Sequence, residues 1–223
     1  MHECRVHIPK YARAAVMASI WFVSGLAAAD DRWYVGATGG FTSNPVSALE
    51  FDSDGLEGRA SADADTGYTM GAVVGREFDG RWRLEGEFRY RTNEFASVDL
   101  PGGSRIDEGD FSSGALGLNA YWLFRDPSAA WRPFVGVGMA WMEEIDLDLA
   151  ESPVDGSYSG DGTAWQLMGG VSWMPVERWS FDFEVRYLDA GSVTMDAERG
   201  ALGGRIAADY SLFEVTADAT WRF

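Results

Sequence analysis

Residues 81–92 read RWRLEGEFRYRT, and this stretch decides the fold of the chain. Its odd and even positions differ completely in chemistry. One set is apolar or glycine, namely Trp82, Leu84, Gly86, Phe88 and Tyr90, and the other is charged, namely Arg83, Glu85, Glu87, Arg89 and Arg91. Strict alternation with period two predicts a β-strand that has an apolar face and a charged face.

The same alternation recurs along the chain after residue 30, where there is no long apolar run and little helical periodicity. It predicts eight strands, over residues 32–41, 66–78, 81–92, 113–124, 131–141, 163–174, 179–187 and 213–223. The predicted fold class is therefore all-β, with antiparallel strands in up-and-down order.

The connections between these strands alternate between short and long. Three are short, at 79–80, 125–130 and 175–178, and four are long, at 42–65, 93–112, 142–162 and 189–209. One end of the sheet should therefore carry tight turns, and the other should carry loops of about twenty residues. Barrels of the outer membrane have this asymmetry, with short periplasmic turns and longer extracellular loops.

The apolar face is too large for the interior of a small barrel. The chain has ten Trp, thirteen Phe and eight Tyr, and most of them fall on the apolar face. Eight strands enclose just enough space for side chains to fill, so glycines and charged residues fit that interior better than this aromatic set. The alternation predicts an eight-stranded transmembrane β-barrel with its apolar face toward lipid, the alternative being a soluble exported β-protein.

The first 29 residues are predicted to be a signal peptide, and residues 30–223 the barrel domain. Arg5, Lys10 and Arg13 precede an uncharged apolar run at 14–26, and three alanines follow at 27–29. The run is shorter than the ~20 residues of a transmembrane helix, which argues against a membrane anchor. Cleavage removes Arg5, Lys10 and Arg13 from the 18 basic residues and Glu3 from the 35 acidic ones. The remaining 15 basic and 34 acidic residues give a net charge of −19 in place of −17.

The chemistry left in residues 30–223 is narrow. Both histidines, the cysteine and the lysine lie in the first ten residues, at His2, His7, Cys4 and Lys10. Without them there is no ordinary catalytic triad, thiol nucleophile, usual zinc site or Schiff base. We therefore expect no enzyme and no cofactor, and the acidic balance argues against a nucleic-acid partner.

The charged faces of the predicted strands supply a candidate lumen charge network. Its residues are Arg83, Glu85, Glu87, Arg89, Arg91, Asp182, Glu184, Arg186, Glu214, Asp218 and Arg222. Buried charges are tolerated when they are paired and hydrogen-bonded, so we expect a salt-bridged, plugged lumen rather than a general diffusion pore. The alternative is a catalytic role for the carboxylate pairs.

The long connections are rich in acidic residues. In the third, Glu143, Glu144, Asp146 and Asp148 form a possible weak divalent-cation loop, because Ca²⁺ favours clustered oxygen ligands. The alternative is a solvated, repulsive surface. Apart from this loop, the sequence predicts no metal site.

Short strings along the chain resemble a known family. They are WYVGA at 33–37, LEGEFRY at 84–90, LNAY at 118–121, PFVGVG at 133–138 and WRF at 221–223. Their order and spacing are similar to the opacity-type and OmpA-like eight-stranded outer-membrane β-barrels, often grouped as the porin family. The resemblance implies a Gram-negative outer-membrane location, contact with outer-membrane lipid and lipopolysaccharide, a monomer, and Trp221 and Phe223 as the signal to the barrel assembly machinery.

Three functions are compatible with such a barrel. The first is a non-enzymatic protein with four acidic surface loops that serves envelope integrity or surface contact. The second is a narrow porin-like conduit for small solutes, as in OmpW-like barrels, which an apolar lumen would favour. The third is a lipid A-modifying enzyme, which the missing histidine disfavours.

Overall fold

The computed structural model describes residues 33–43, 46–53, 56–64, 66–99, 105–106, 109–124, 128–149, 156–198 and 204–223. The predicted signal peptide lies outside these residues. The strands are β1 (Trp33–Thr42), β2 (Val46–Ser53), β3 (Leu56–Ala64), β4 (Gly67–Phe78), β5 (Trp82–Asp99), β6 (Arg105–Ile106), β7 (Gly109–Leu123), β8 (Trp131–Leu149), β9 (Gly156–Val176), β10 (Trp179–Ala197) and β11 (Gly204–Arg222). Over the described ranges, no helix has the length and apolar character needed to cross a bilayer.

The strands close into one antiparallel ring. β1 and β2 both pair with β11, so together they form one interrupted strand of the barrel wall. In the same way, β3 and β4 both pair with β5 and form a second interrupted wall strand. The two-residue β6 adds to the edge of β5. With β7 to β10 completing the wall, the ring has eight strands, and the predicted eight-stranded antiparallel barrel is confirmed.

The short connections are tight turns at one end of the barrel. Asp79 and Gly80 both have positive φ, at 50° and 64°, as a type I′ hairpin turn requires. The turn between β9 and β10 is equally short, at residues 177–178. Short turns mark the periplasmic end of an outer-membrane barrel, which orients the molecule.

The half of the wall next to these turns, the membrane half, carries apolar side chains outward and polar ones inward. On β10, Phe183 and Val185 face outward and are 49% and 53% exposed, while Asp182 and Glu184 face inward and are 3% exposed. Aromatic rings cluster at the turn end, where the Trp82 and Trp122 centroids are 4.6 Å apart and those of Trp131 and Trp173 5.4 Å apart. Such a girdle marks the membrane–water interface.

The four segments predicted as long loops are largely strand, so that prediction was wrong. β5 continues to Asp99, β8 to Leu149 and β10 to Ala197, while β9 already begins at Gly156 and β11 at Gly204. The part of the wall beyond the apolar belt, the outer half, therefore extends the barrel away from the membrane. The corresponding part of the first long segment contains the β2–β3 hairpin.

Polarity inverts between the two halves. The interior of the outer half, and of its junction with the membrane half, is an apolar core of buried side chains: Leu49, Phe51, Ala60, Phe111, Ala115, Ala140, Met142, Ile145, Leu147, Tyr158, Ala164, Leu188, Val193, Met195, Ile206, Ala208, Tyr210 and Leu212. Its outward residues are mostly acidic, Ser or Thr, such as Glu144 and Asp148 on β8 and Thr194 and Asp196 on β10. The membrane half thus has a lipid-facing exterior, and the outer half is built like a water-soluble barrel.

Two bulges accompany this inversion. In β8 the register shifts between Met142 and Ile145, and in β10 it shifts between Asp189 and Gly191. Each shift changes which parity of residue faces inward, so that Ile145 on β8 and Val193 on β10 are buried. An added residue in one strand has this effect because side chains alternate with period two.

Two inward glycines let tyrosine rings lie against the wall. A Cβ at Gly75 would overlap the Tyr34 ring, and a Cβ at Gly136 would come within 2.5 Å of Tyr121. Both tyrosines are about 1% exposed. The glycines thereby position the two hydroxyls in the lumen.

Candidate functional site: the charged lumen

The predicted lumen residues all lie on the inward face of the membrane half, on β5, β10 and β11. Arg83, Glu85, Glu87, Arg89, Arg91, Asp182, Glu184, Arg186 and Glu214 are buried, whereas Asp218 and Arg222 are partly exposed. β5 does not pair with β10 or with β11, so contacts between these strands cross the lumen. The structure brings most of the predicted set into one connected network.

Arg186 on β10 is at the centre of this network. Its guanidinium donates to both carboxylate oxygens of Glu87, with the Nη2–Oε2 distance at 2.9 Å. It also donates to Glu184 at 3.0 Å and to Gln166 Oε1 at 2.9 Å. This one side chain, 1% exposed, links β10 across the lumen to β5 and sideways to β9.

Glu214 on β11 binds the two arginines of β5 that lie nearest the outer half. Arg91 Nε donates to Glu214 Oε1 at 2.8 Å, and Arg89 Nη1 donates to Oε2 at 3.4 Å. Arg89 also pairs with Glu87 at 3.1 Å, which joins this group to Arg186. Charge-assisted hydrogen bonds of this kind are roughly twice as strong as neutral ones.

Nearer the periplasmic turns, Arg83 pairs with Asp182 at 2.5 Å across the lumen. The Arg83 guanidinium carbon also lies 4.6 Å from the Tyr121 ring centroid and 5.1 Å from that of Phe134. Ion pairing and cation–π contact together hold this arginine over the aromatic lower end of the lumen.

Glu85 and Asp218 are the predicted carboxylates without an arginine partner among the described residues. Glu85 accepts hydrogen bonds from the hydroxyls of Tyr34 at 2.8 Å and Tyr121 at 3.2 Å. Asp218 Oδ1 is shielded from solvent and has no hydrogen-bond partner. The expected pairing therefore does not extend to these two groups.

The sequence reasoning missed four buried members of the lumen. Arg132 is 0% exposed and donates to Glu77 at 3.0 Å. Glu77 also accepts from Arg222 at 3.1 Å, so Arg222 belongs to a separate group at the turn end. Gln166 donates to Asn119 and to Glu87, which joins β9 and β7 to the central network. A sequence signal could have identified these inward positions. Residues an even number of positions from an inward glycine on the same strand, such as Glu77 after Gly75 or Arg132 before Gly138, share its face.

The four residues predicted as a cation-binding loop lie on β8 in the outer half, not in a loop. Glu143, Glu144 and Asp148 are exposed, and Asp146 is half-buried. Partial burial, followed by the carboxylates of Glu144 and Asp148, raises the pKa of Asp146 to about 6. Nowhere in the described part of the chain do three or more acidic side chains converge in a way that could hold a metal ion.

The acidic surface continues onto β7. Asp110 is opposite Asp148 in the sheet register and opposite Glu94 on its other side. Partial burial and these two carboxylates raise the pKa of Asp110 above its ordinary value. Repulsion between neighbouring carboxylates is therefore a property of this face of the outer half.

The two residues of the predicted assembly signal lie where the barrel closes. Trp221 is opposite Val35 of β1, and its ring centroid is 5.1 Å from that of Trp179. The Phe223 backbone N–H donates to the Trp33 carbonyl at 3.1 Å. Both residues are thus part of the seam between the first and last strands.

Comparisons with known proteins agree with this architecture. Residues 14–223 match the family model described as the outer membrane protein beta-barrel domain. The structure resembles outer membrane protein OprG from Pseudomonas aeruginosa, at TM-score 0.61 and 17% identity, covering 85% of this chain and 95% of that one. It also resembles Neisserial surface protein A, at TM-score 0.53 and 14% identity, covering 86% of this chain and 97% of that one.

A third similar structure is a major outer membrane protein from Thermus thermophilus, at TM-score 0.51 and 13% identity, covering 86% of this chain and 98% of that one. No curated protein matches the chain. At these identities the likeness shows the fold, whereas the family match extends over most of the sequence. The chain therefore belongs to the outer membrane protein beta-barrel domain family.

Proposed function

We propose that this barrel is a non-enzymatic outer-membrane protein with a closed lumen, and that its acidic outer half serves envelope integrity or surface contact. The observation that carries the proposal is that solvent is excluded from the lumen at two successive levels. A barrel closed in this way acts through its surfaces and not through a pore.

The first level is the charged network of the membrane half. Arg89 and Arg186 are 1% exposed and Glu214 is 0% exposed, so their mutual contacts leave no room for water beside them. A solute that crossed this level would have to break several charge-assisted hydrogen bonds at once. Ion pairs across the lumen are therefore expected to keep it closed.

The second level is the apolar core of the outer half. Leu147, Tyr158, Leu188, Met195 and Ile206 are each 0% exposed. Side chains packed in this way exclude water as in the interior of a soluble protein. An ion would have to enter a dry apolar region, which is strongly unfavourable.

The absence of catalysis is also part of the proposal. The candidate catalytic carboxylates of the lumen, such as Glu87 and Glu184, are 5% and 3% exposed and bind arginine. A general acid or base must come within hydrogen-bond distance of its substrate, and these groups are out of a substrate's reach.

The proposed partners are the membrane lipids, lipopolysaccharide around the outer half, and the assembly machinery during insertion. Apolar side chains face outward on every wall strand of the membrane half, as expected for a monomer surrounded by lipid. Neighbouring lipopolysaccharide would contact the acidic outer half through bridging divalent cations.

Single-channel recording in planar bilayers tests the closed lumen. The purified protein should give no steady openings, and a variant with Arg89→Ala and Arg186→Ala should also stay closed, because the apolar core of the outer half remains. Steady openings by the unaltered protein would contradict the proposal. Heat-modifiable migration in gels shows beforehand that both proteins are folded.

One observation favours the alternative of a narrow conduit for small solutes. The apolar core contains small side chains where it meets the membrane half, among them Ala115, Ala140 and Ala164, and an apolar lining suits apolar solutes. Because bilayer recordings detect only ions, uptake of a small apolar solute into proteoliposomes is the matching assay. Uptake above that of protein-free vesicles would favour the conduit over the closed barrel.

A further inference from the structure

The lipid-facing wall of the membrane half contains one exceptional residue. Among the described outward-facing strand positions next to the periplasmic turns, Arg76 on β4 is the one charged side chain. Its outward neighbours along the strand are Val74, which is 38% exposed, and Phe78. Its partners in the sheet register are Trp33 on β1 and Leu84 on β5. An arginine among these side chains is surrounded by the apolar region of the bilayer and its interface.

The guanidinium of Arg76 is held by aromatic rings and has no anionic partner. Its central carbon lies 5.6 Å from the Trp33 ring centroid and 5.1 Å from that of Phe78. Its Nε is shielded from solvent and makes no hydrogen bond. Among the described residues no carboxylate lies within ion-pair distance, and the adjacent Glu77 faces inward to Arg132 and Arg222. The cation is thus fixed in place while its charge stays uncompensated by the protein.

The position of Arg76 along the wall identifies the anion that would bind it. It lies three residues before Asp79 in the periplasmic turn, which places it at the level of the phosphate groups of the inner leaflet. A guanidinium matches a phosphate through two parallel N–H···O bonds, and the pairing is strongest where water is scarce. The neighbouring Trp33 and Phe78 rings would contact the glycerol and upper acyl region of the same molecule.

We propose that Arg76, Trp33 and Phe78 form a binding site for the phosphodiester headgroup of a glycerophospholipid at the periplasmic rim of the barrel. The same pattern recurs nearby, where the Arg178 guanidinium carbon lies 5.7 Å from the Trp221 ring centroid. The rim that faces the inner leaflet carries Arg76, Arg81 and Arg178 beside Asp79 and Glu177, whereas the outward side chains of the opposite end are mostly acidic, Ser or Thr. This charge distribution would favour phospholipid contact at one end only.

Native mass spectrometry of the folded full-length protein in a non-ionic detergent tests the site. Phosphatidylglycerol and a diacylglycerol with the same acyl chains are titrated in separate arms, and the second lacks the phosphate. We expect phosphatidylglycerol to bind about tenfold more tightly, as the loss of a charged hydrogen-bonded pair implies. Arg76→Gln should abolish that difference, and Arg76→Lys should keep part of it because the charge remains without the planar fork.

The matched control is Arg205→Gln, since Arg205 is an exposed arginine of the outer half paired with Asp196 at 2.9 Å. It should bind phosphatidylglycerol like the unaltered protein. Equal lipid binding by Arg76→Gln and the unaltered protein would overturn the site. Displacement of the lipid by inorganic phosphate at comparable concentration would overturn the lipid assignment in favour of a free phosphate ion. If Arg76→Gln does not fold, the Arg76→Lys arm decides, because binding unchanged from the unaltered protein would exclude bidentate recognition.

Discussion

Replacing Arg186 by Met should destabilise the barrel more than any exposed substitution. The change removes hydrogen bonds to Glu87, Glu184 and Gln166, and all three remain buried. Each charged hydrogen bond contributes ~1.5–3 kcal/mol, but the sum over all of them overestimates the loss of unfolding free energy. The reason is that the variant no longer pays the cost of dehydrating Arg186 on folding. Breaking a buried ion pair on one side costs ~3–5 kcal/mol, and we expect a loss in that range.

Equilibrium unfolding by urea in lipid vesicles measures this loss. Tryptophan fluorescence reports unfolding, since the chain has ten Trp and many lie at the lipid interface. The slope of the free energy against urea concentration should stay unchanged, so that the midpoint reports stability alone. Arg205→Met is the control, since both side chains of the Arg205–Asp196 pair are mostly exposed and such pairs contribute less than ~1 kcal/mol.

A double variant separates the loss of the pair from the cost of an unpaired charge. Adding Glu184→Gln to Arg186→Met removes the carboxylate that loses its arginine, whereas Glu87 keeps Arg89, so the double variant should be more stable than Arg186→Met alone. A loss of under ~1 kcal/mol for Arg186→Met, equal to the control, would refute the reasoning. It would mean that water reaches the network and replaces the missing guanidinium.

Three further predictions concern other parts of the molecule. Gly75→Ala should lower the unfolding free energy by ~1–3 kcal/mol, because the new methyl group overlaps the Tyr34 ring, and Tyr34→Ala in the same chain should reduce that cost. Because the pKa of Asp146 is raised to about 6, its protonated form is favoured in the folded protein. The stability that this gives is fully present at pH values below the ordinary pKa of an aspartate and is lost as the pH rises through 6. Asp146→Asn should therefore match the unaltered protein near pH 4 and, after allowance for solvent screening, be roughly 1 kcal/mol more stable near pH 8 in urea titrations. Deleting Phe223 should lower the fraction of heat-modifiable barrel recovered from outer membranes, and recovery equal to the full chain would exclude it as an assembly signal.

The membrane half could be predicted from the sequence because one rule governs it throughout. On β5, the alternation from Arg83 to Arg91 has a single phase, and it correctly separates the lipid face from the lumen face. Ion-pair partners could not be predicted, because Arg83 binds Asp182 on a strand that is remote in sequence and lies across the lumen. The bonds from Tyr34 and Tyr121 to Glu85 depend on ring positions that glycines on neighbouring strands determine.

The outer half was missed for a physical reason visible in β8 and β11. On β8 the buried positions change from even numbers, ending at Met142, to odd numbers from Ile145, because a bulge intervenes. On β11 the phase is unbroken, but the apolar residues change from outward Phe213 to inward Leu212 as the surroundings change from lipid to water. The bulge in β8 and the change of apolar face on β11 each interrupt the alternation of apolar and polar residues. A stretch without that alternation is predicted to be a loop.

The inversion of polarity along single strands has a consequence for how the chain selects its register during insertion. A slip of one residue in β11 would turn Glu214 toward lipid and, on the same strand, turn Leu212 toward water. The two errors occur in different solvents, so no single environment can relieve both. One displacement thus makes a misaligned barrel unfavourable in both the membrane half and the outer half. Each long strand therefore disfavours a wrong register by itself.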